Sequence, residues 1–381
     1  MSKYSIYADH AATSPLSPAA REAMLPYLAE EYGNPSTLYS LARKPRKAVN
    51  AARESIARAI GALPEEIIFT SGGSESDNLA IKGTAFKRYG AQNRIITTAI
   101  EHHAVLNAAR AMERFGFDTQ YISNDRCGRV SKDELSIMMG TDVALVSIML
   151  ANNEIGTIQP IQDLAQITHQ TGALFHTDAV QAVGHIPIDV KKLGVDMLSA
   201  SAHKFNGPKG VGFLYLRKGI QLIPLVDGGG QERGMRGGTE NVAGIVGMAA
   251  ALKEHTENME VEKTQLRLLQ IRLIDELNAL NLDYMINGGN DKIPGNVSIS
   301  FAGASGEMLL HRLDLMGIAV ATGSACNSKE TQISHVIRAI GVPEDYAEGT
   351  IRISFGPENT VEEAAIIARC IAKILRSNAG T

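Results

Sequence analysis

From residue 65 to residue 217 short apolar runs alternate with longer stretches of helical pattern, and this alternation narrows the fold more than any other feature. "EEIIFT" (65–70) leads into "SGGSESDNLAIKGTAF", and "RIITTAI" (94–100) leads into "HAVLNAARAMERFG". "DVALVSIML" (142–150) is an apolar run of the kind that a strand covered on both faces needs. "IQDLAQITHQTG" reads as a helix with a glycine stop. "ALFHTDAV", "DMLSASA" and "VGFLYLR" read as further strands. Strand–helix alternation of this sort predicts an α/β fold, with a mostly parallel sheet wrapped by helices.

After about residue 240 the texture changes. Residues 241–280, "NVAGIVGMAAALKEHTENMEVEKTQLRLLQIRLIDELNAL", form a long helical tract. The pattern predicts two helices there, the first leaving the large domain. "NVSISF", "EMLLHRLDLMG", "IAVATG", "HVIRAIG", "TIRISF" and "VEEAAIIARCIAKILRS" follow, an alternation that suits a smaller α+β domain. The extreme N-terminus is expected to join it, because the first long helix begins only at Ser17-Pro18, a good cap and first-turn pair. A chain of 381 residues suits two domains. The expected division is a large domain over 15–257 and a small one built from 1–14 and 258–381.

Charged residues make up 20% and the net charge is −4, so bulk electrostatics give no case for nucleic-acid or membrane binding. No apolar run reaches the roughly 18 residues that span a bilayer. The first residues, "MSKYSIYADHAATS", lack the apolar core of a signal peptide. A soluble, cytoplasmic protein is expected. The three cysteines, Cys127, Cys326 and Cys370, form no C-x-x-C pair. That count argues against a disulfide framework and against a structural zinc site, and no metal is expected.

Two loops could hold an anion. "TSGGSES" (70–76) follows a strand and opens a helix, so glycine backbone, free helix N–H groups and the Ser74 hydroxyl meet there. It is equally the sequence of a plain strand–helix turn with a serine cap. It lacks the G-x-G-x-x-G pattern of a dinucleotide site, and no G-x-x-x-x-G-K-[ST] occurs in the chain. "GGGQERGMRGGTEN" (228–241) reads either as a surface loop or as a segment that crosses an interface with Thr239 as a donor.

Three strand ends carry polar groups: Asp178 and Gln181 in "HTDAVQ", Ser201, His203 and Lys204 in "SASAHK", and His102 in "AIEHH". In parallel α/β sheets, ligands bind at the carboxyl ends of strands. Singly, each has an ordinary reading as a cap, a turn or a surface charge. Together they match pyridoxal 5′-phosphate. A lysine forms its imine, an aspartate pairs with the pyridinium nitrogen, an imidazole stacks on the ring, and Gln181 donates to the phenolic oxygen.

The blocks "ADHAATSPLSPAAREAM", "YGNPST", "TSGGSESDN", "EHHAVL", "NNEIGTIQPI", "HTDAVQAVG", "SASAHKFNGPKGVG", "RGGTEN", "GSACNS" and "IRISFG" occur in the order found in cysteine desulfurases. Over nearly its whole length the chain resembles these pyridoxal-phosphate-dependent, fold-type I members of the class V aminotransferase superfamily, of the nitrogen-fixation and iron–sulfur assembly type. The resemblance implies a seven-stranded, mostly parallel sheet and a homodimer. It implies Lys204 as cofactor anchor and proton carrier, with Asp178 and Gln181 on the pyridine ring and His102 stacked on it. Gly73, Ser74, Ser201 and His203 would bind the phosphate, and Thr239 would reach it from the other subunit. Asn153 and Arg352 would hold the substrate carboxylate, with Asn34 nearby.

Of the cysteines, Cys370 has the spacing to Ile366, Ile367 and Ile374 of a buried helical stripe. Cys127 lies in "NDRCGRV", an expected exposed turn. Cys326 lies in a polar loop, "VATGSACNSKETQISH", and the resemblance puts the nucleophile there. The implied reaction converts L-cysteine to L-alanine, with sulfur passing as a Cys326 persulfide to an acceptor protein, an iron–sulfur scaffold or a thiolation enzyme. His102 would manage the thiol protons. The chain stops soon after its last helix, at "RSNAGT". The tail that many relatives use to dock a scaffold is therefore expected to be missing, and a more specialised acceptor is expected. A selenocysteine lyase or an aminotransferase of the same fold is the alternative activity.

Overall fold

The computed structural model describes residues 6–323 and 333–378. The strands are β1 (Ile6–Tyr7), β2 (Ile67–Thr70), β3 (Arg94–Thr98), β4 (Asp118–Ile122), β5 (Val143–Ser147) and β6 (Leu174–Asp178), then β7 (Met197–Ser201), β8 (Gly212–Leu216), β9 (Tyr284–Asn287), β10 (Asn296–Phe301), β11 (Ile318–Ala319) and β12 (Thr350–Ser354). Seven of them form one sheet in the order β2-β8-β7-β6-β5-β3-β4. β8 runs antiparallel to β2 and β7, and the other neighbours are parallel.

Side chains along a strand alternate between faces, so an apolar run supplies two cores at once. Ile96, Val146, Phe175, Leu198 and Phe213 point to one face. Their chain neighbours Ile95, Leu145, Leu174, Met197 and Leu214 point to the other. The first face is covered by helices Arg43–Ala59 and Ile161–His169 and by the start of Val242–Ala279, through Val49, Ile56, Leu164, Ile245 and Met248. The second is covered by helices Gly73–Arg88 and His103–Glu113, through Leu79, Ile81, Val105 and Met112.

A separate core joins the N-terminal residues Ile6 and Ala8 to β10, β12, helix Gly306–Leu315 and helix Val361–Asn378. Its sheets are the antiparallel β12-β10-β9 and the parallel pair β1-β11.

The pair of helices expected over 241–280 is one helix of 38 residues, Val242–Ala279. Its early apolar face, Ile245, Met248 and Leu252, packs on the large sheet. Its later face, Leu266, Leu269, Leu273 and Leu277, packs in the other core. The polar stretch between them interrupts the apolar pattern, but it holds no proline and no glycine, so the backbone has no reason to stop.

Candidate active site

The carboxyl ends of β2, β6 and β7 open on one cavity of about 1050 Å³. At the β2 end the chain turns through Ser71-Gly72 into helix Gly73–Arg88. Gly72 has φ +150°, a conformation that favours glycine. A Cβ on Gly73 would stand 2.5 Å from Val180 Cγ2, so only glycine lets the helix start so close to the β6 loop. The turn is knit by Thr70 Oγ1, 2.8 Å from Ser76 Oγ, and by the Ser71 N–H, which donates to Glu75 Oε2 at 2.8 Å. The first helical N–H groups have no partner within the helix and carry its positive dipole end. Gly73, the exposed Ser74 and the buried Ser201 line the cavity beside them.

β7 ends at Ser201, and the turn Ala202–Lys204 carries the lysine. Lys204 Nζ donates to the carbonyls of Ala11 and Ala12 at 2.6 and 2.8 Å. Burial, helped by Arg352, pushes its ammonium down to about 8, against the pull of Asp9 and Asp178. Gln181 Nε2 also donates to Ala11 O, at 2.8 Å. His203 Nδ1 lies 3.1 Å from Thr13 Oγ1, and burial together with Lys204 brings its imidazole down to about 4. The segment Ala11–Thr13 thus orients three of the predicted side chains, Lys204 and Gln181 through its main chain and His203 through the Thr13 hydroxyl.

Asp178 closes β6 with its side chain buried. Burial raises its carboxyl, while His102, the Val180 N–H and Lys204 favour the anion. Its Oδ1 accepts from Val180 N at 2.9 Å. His102 caps helix His103–Glu113, with Nδ1 accepting from Ala104 N at 3.1 Å, so a neutral ring carries its proton on Nε2. Burial lowers its pKa. The ring still borders the cavity, so it serves as both cap and wall.

On the opposite wall β12 presents Arg352. Its Nη1 donates to Asn153 O at 2.9 Å and its Nη2 to Asp9 Oδ1 at 2.7 Å. Asn34 and Thr239 do not line the cavity. Asn34 Oδ1 accepts from Ser36 N at 2.9 Å in its own turn, and Thr239 is exposed on the glycine-rich loop. Cys326 lies outside the described residues. Cys370 is half-buried against the second core, and Cys127 is exposed.

The arrangement offers an anion cradle at a helix end, a weakly basic amine, a buried carboxylate and a guanidinium around one space. A family model described as aminotransferase class-V matches residues 6–367. The cysteine desulfurase IscS of Clostridium botulinum strain Hall is 47% identical over 374 residues, covering 97% of this chain and 94% of that protein. This chain belongs to the aminotransferase class-V family and, within it, to the cysteine desulfurases. Among solved structures, a NifS-like protein matches with a TM-score of 0.92 at 39% identity, covering 97% of this chain and 99% of that one. A structure described as SspA in complex with cysteine matches with a TM-score of 0.84 at 36% identity, covering 93% and 100%.

This desulfurase-family cavity also holds or borders acids to which the motifs assign no role. Glu154 is buried, accepts from Ser334 Oγ at 2.6 Å, and is pushed up to about 7 by burial. A Cβ on Gly323 would stand 2.2 Å from Glu154 Oε2, so any larger residue there would push the carboxylate from its present place. Behind the cavity wall, Glu101 is pushed up to about 8 by burial. It accepts from Met149 N and Thr98 Oγ1, both at 2.9 Å. Asp77 borders the cavity and is buried beside Asp178. Burial of an acid depends on tertiary packing, and the only local hint was a carboxylate inside a helix start or a turn of small residues.

Proposed function

We propose that this protein is a pyridoxal 5′-phosphate-dependent cysteine desulfurase. It converts L-cysteine to L-alanine and passes the sulfur, as a persulfide on Cys326, to an acceptor protein. The observation that carries the reading is the meeting of Lys204, Asp178 and the helix start at Gly73 on one cavity. The residues present fit the cofactor. Gly73 packs closely on Val180 and has no side chain to cover the helix-start N–H groups, which could face a phosphate. A buried carboxylate with few donors of its own, Asp178, suits a pyridinium nitrogen. When bound, pyridoxal phosphate supplies an electron sink for the pair released on breaking the substrate Cα–H bond.

Each side chain then has a task. Gly73, Ser74, Ser201 and His203 hold the phosphate, with Thr239 reaching it from a second subunit. Asp178 and Gln181 fix the ring, and His102 stacks on it. Arg352 and Asn153, both on the cavity wall, bind the substrate carboxylate, and Asn34, which does not line that wall, makes no contact there among the described residues of this chain. Lys204 anchors the cofactor and, once displaced, takes the Cα proton. With its pKa near 8 instead of 10.5, roughly 300-fold more of it is free amine at neutral pH. The Cys326 thiolate then attacks the substrate sulfur. An S–S bond forms, the substrate C–S bond breaks, and the carbon keeps the electron pair and is protonated to give alanine. His102, neutral because it is buried, handles the thiol protons.

The division into a large unit (15–257) and a small one (1–14 with 258–381) belongs to the same proposal, and so does a homodimer. Exposed Tyr32, Leu38, Tyr39 and Leu41 give an apolar surface suited to a second copy. No helix among the described residues is long and apolar enough to cross a membrane, which fits a cytoplasmic enzyme. The test is alanine release from L-cysteine with reductant, comparing wild type with Cys326→Ala. Alanine from wild type and almost none from the variant is the expected result. Equal activity in both would mean that sulfur leaves without Cys326, as in a lyase, and no alanine from either would overturn the substrate.

A further inference from the structure

Asp77 lies in helix Gly73–Arg88, one turn in from the anion-cradling end, and is 1% exposed. A carboxylate so deep needs a cation or several donors. Among the described residues its Oδ1 has no hydrogen-bond partner. The groups that face it come from two strands and one loop. They are Asp178 and His176 on β6, the Ser199 hydroxyl on β7, and Glu101 after β3. His176 is no cation: it is fully buried, and burial takes its imidazole down to about 3. Its nitrogens are held by Ser147 Oγ at 2.8 Å and Ser199 Oγ at 2.9 Å. Asp77, His102 and Asp178 each bring a side-chain atom within 4.8 Å of the others.

Two neighbouring carboxylates in the interior cannot both ionise, and the better-supported one keeps the charge. Asp178 has His102, the Val180 N–H and Lys204 in favour of its anion. Asp77 has the Ser199 hydroxyl. Burial and Asp178 both raise its carboxyl.

We propose that Asp77 is a positioning residue for Asp178. It is carried as the neutral acid, and its O–H donates toward the Asp178 carboxylate, holding that group ionised and aimed into the cavity. This rests on reading the cavity as a pyridoxal phosphate site, where the aim of Asp178 fixes the ring nitrogen. The role is an indirect one, because Asp77 works through its neighbour and its effect appears in cofactor affinity.

The experiment compares full-length wild type, Asp77→Asn and Asp77→Leu. Infrared difference spectra of wild type against Asp77→Asn, with and without cofactor, read the protonation state. A protonated-carboxyl band at neutral pH that disappears in Asp77→Asn is expected. Absence of that band from the difference spectrum means an ionised Asp77 and overturns the proposal. Cofactor dissociation constants give the second readout. Asparagine still donates an N–H toward Asp178, so Asp77→Asn should bind within about threefold of wild type. Leucine cannot donate, so Asp77→Leu should bind about tenfold or more weakly. A leucine variant as tight as wild type would show that Asp77 only fills space. If wild type takes up no pyridoxal phosphate, the reading of the cavity fails. The infrared band of the cofactor-free chain still decides the protonation state. If the leucine variant does not fold, the asparagine variant and its spectrum still decide it.

Discussion

Gly212 is the residue whose enlargement should damage the cofactor cradle most directly. It opens β8 and sits opposite Thr70 on β2 and Ser201 on β7, the level at which both cavity-lining turns leave the sheet. A Cβ there would stand 2.4 Å from Ala200 O and 2.7 Å from Gly72 Cα. Both are main-chain atoms, so no side chain can swing aside. Relief to normal contact needs backbone shifts of about 0.5–1 Å. Overpacking of this kind costs about 1–3 kcal/mol in stability. The shift falls on Gly72 and Ser201, so it would also misalign the donors proposed to hold the phosphate. Losing one charge-assisted hydrogen bond of about 1.5–3 kcal/mol weakens cofactor binding roughly 10- to 100-fold. Denaturant unfolding and equilibrium dialysis against pyridoxal phosphate measure the two effects in Gly212→Ala. Gly230→Ala is the control, because Gly230 has φ −78° and open space around it. If Gly212→Ala unfolds and binds like wild type and like the control, the close approach does not shape the cradle and the argument fails.

Two further outcomes follow from the acid and the guanidinium on the far wall. Glu154 has a folded-state pKa of about 7 against its usual 4.5, so its contribution is fully present below about 4.5 and is lost as pH rises through 7. The stability of wild type relative to Glu154→Gln should therefore fall by about 3 kcal/mol between those limits, and a difference that stays flat in a pH series of unfolding curves refutes the burial argument. Arg352→Lys keeps the charge but loses the planar fork that now contacts Asn153 and Asp9. It should raise KM for L-cysteine about 10- to 100-fold with a smaller change in kcat, and an unchanged KM would remove Arg352 from substrate binding.

Which parts of the fold could be read in advance follows from burial. β5, β6 and β7 are buried at every position, and β5 appears in the sequence as an apolar run while β6 and β7 open apolar, at Leu174-Phe175 and Met197-Leu198, and turn polar toward the cavity. β4 and β9 lie at sheet edges with one fully buried residue each, and nothing in their local sequence separates them from loop. The same logic applies to the cavity. Lys204, Asp178, Gln181, Ser201 and His203 stand out because they are polar groups where apolar strands end. The carbonyls of Ala11 and Ala12 hold Lys204 with main-chain atoms, which leave no residue-type signal. Glu154 and Asp77 resemble ordinary surface acids until the packing above them is known.

The long helix that the sequence pattern divides in two also explains how the two walls of the cavity keep their distance. Behind the lysine turn, His185 Nε2 donates to Lys204 O at 2.9 Å. Two residues on, Asn206 takes φ +57°, and its Oδ1 lies 2.9 Å from Nε2 of His255 on the long helix. His255 Nδ1 in turn lies 2.9 Å from Glu262, two turns further along. The lysine turn is therefore tied to the middle of Val242–Ala279. The far half of that helix packs through Leu266, Leu269 and Leu273 into the core that carries Ile351 and Ile353, the neighbours of Arg352 on β12. An unbroken helix thus connects the amine that would move the proton to the guanidinium that would hold the carboxylate. A break in the polar stretch, as the apolar pattern alone suggested, would let one wall rock against the other. Catalytic geometry tolerates little of that, since misplacement on the order of 1 Å costs about a hundredfold in rate.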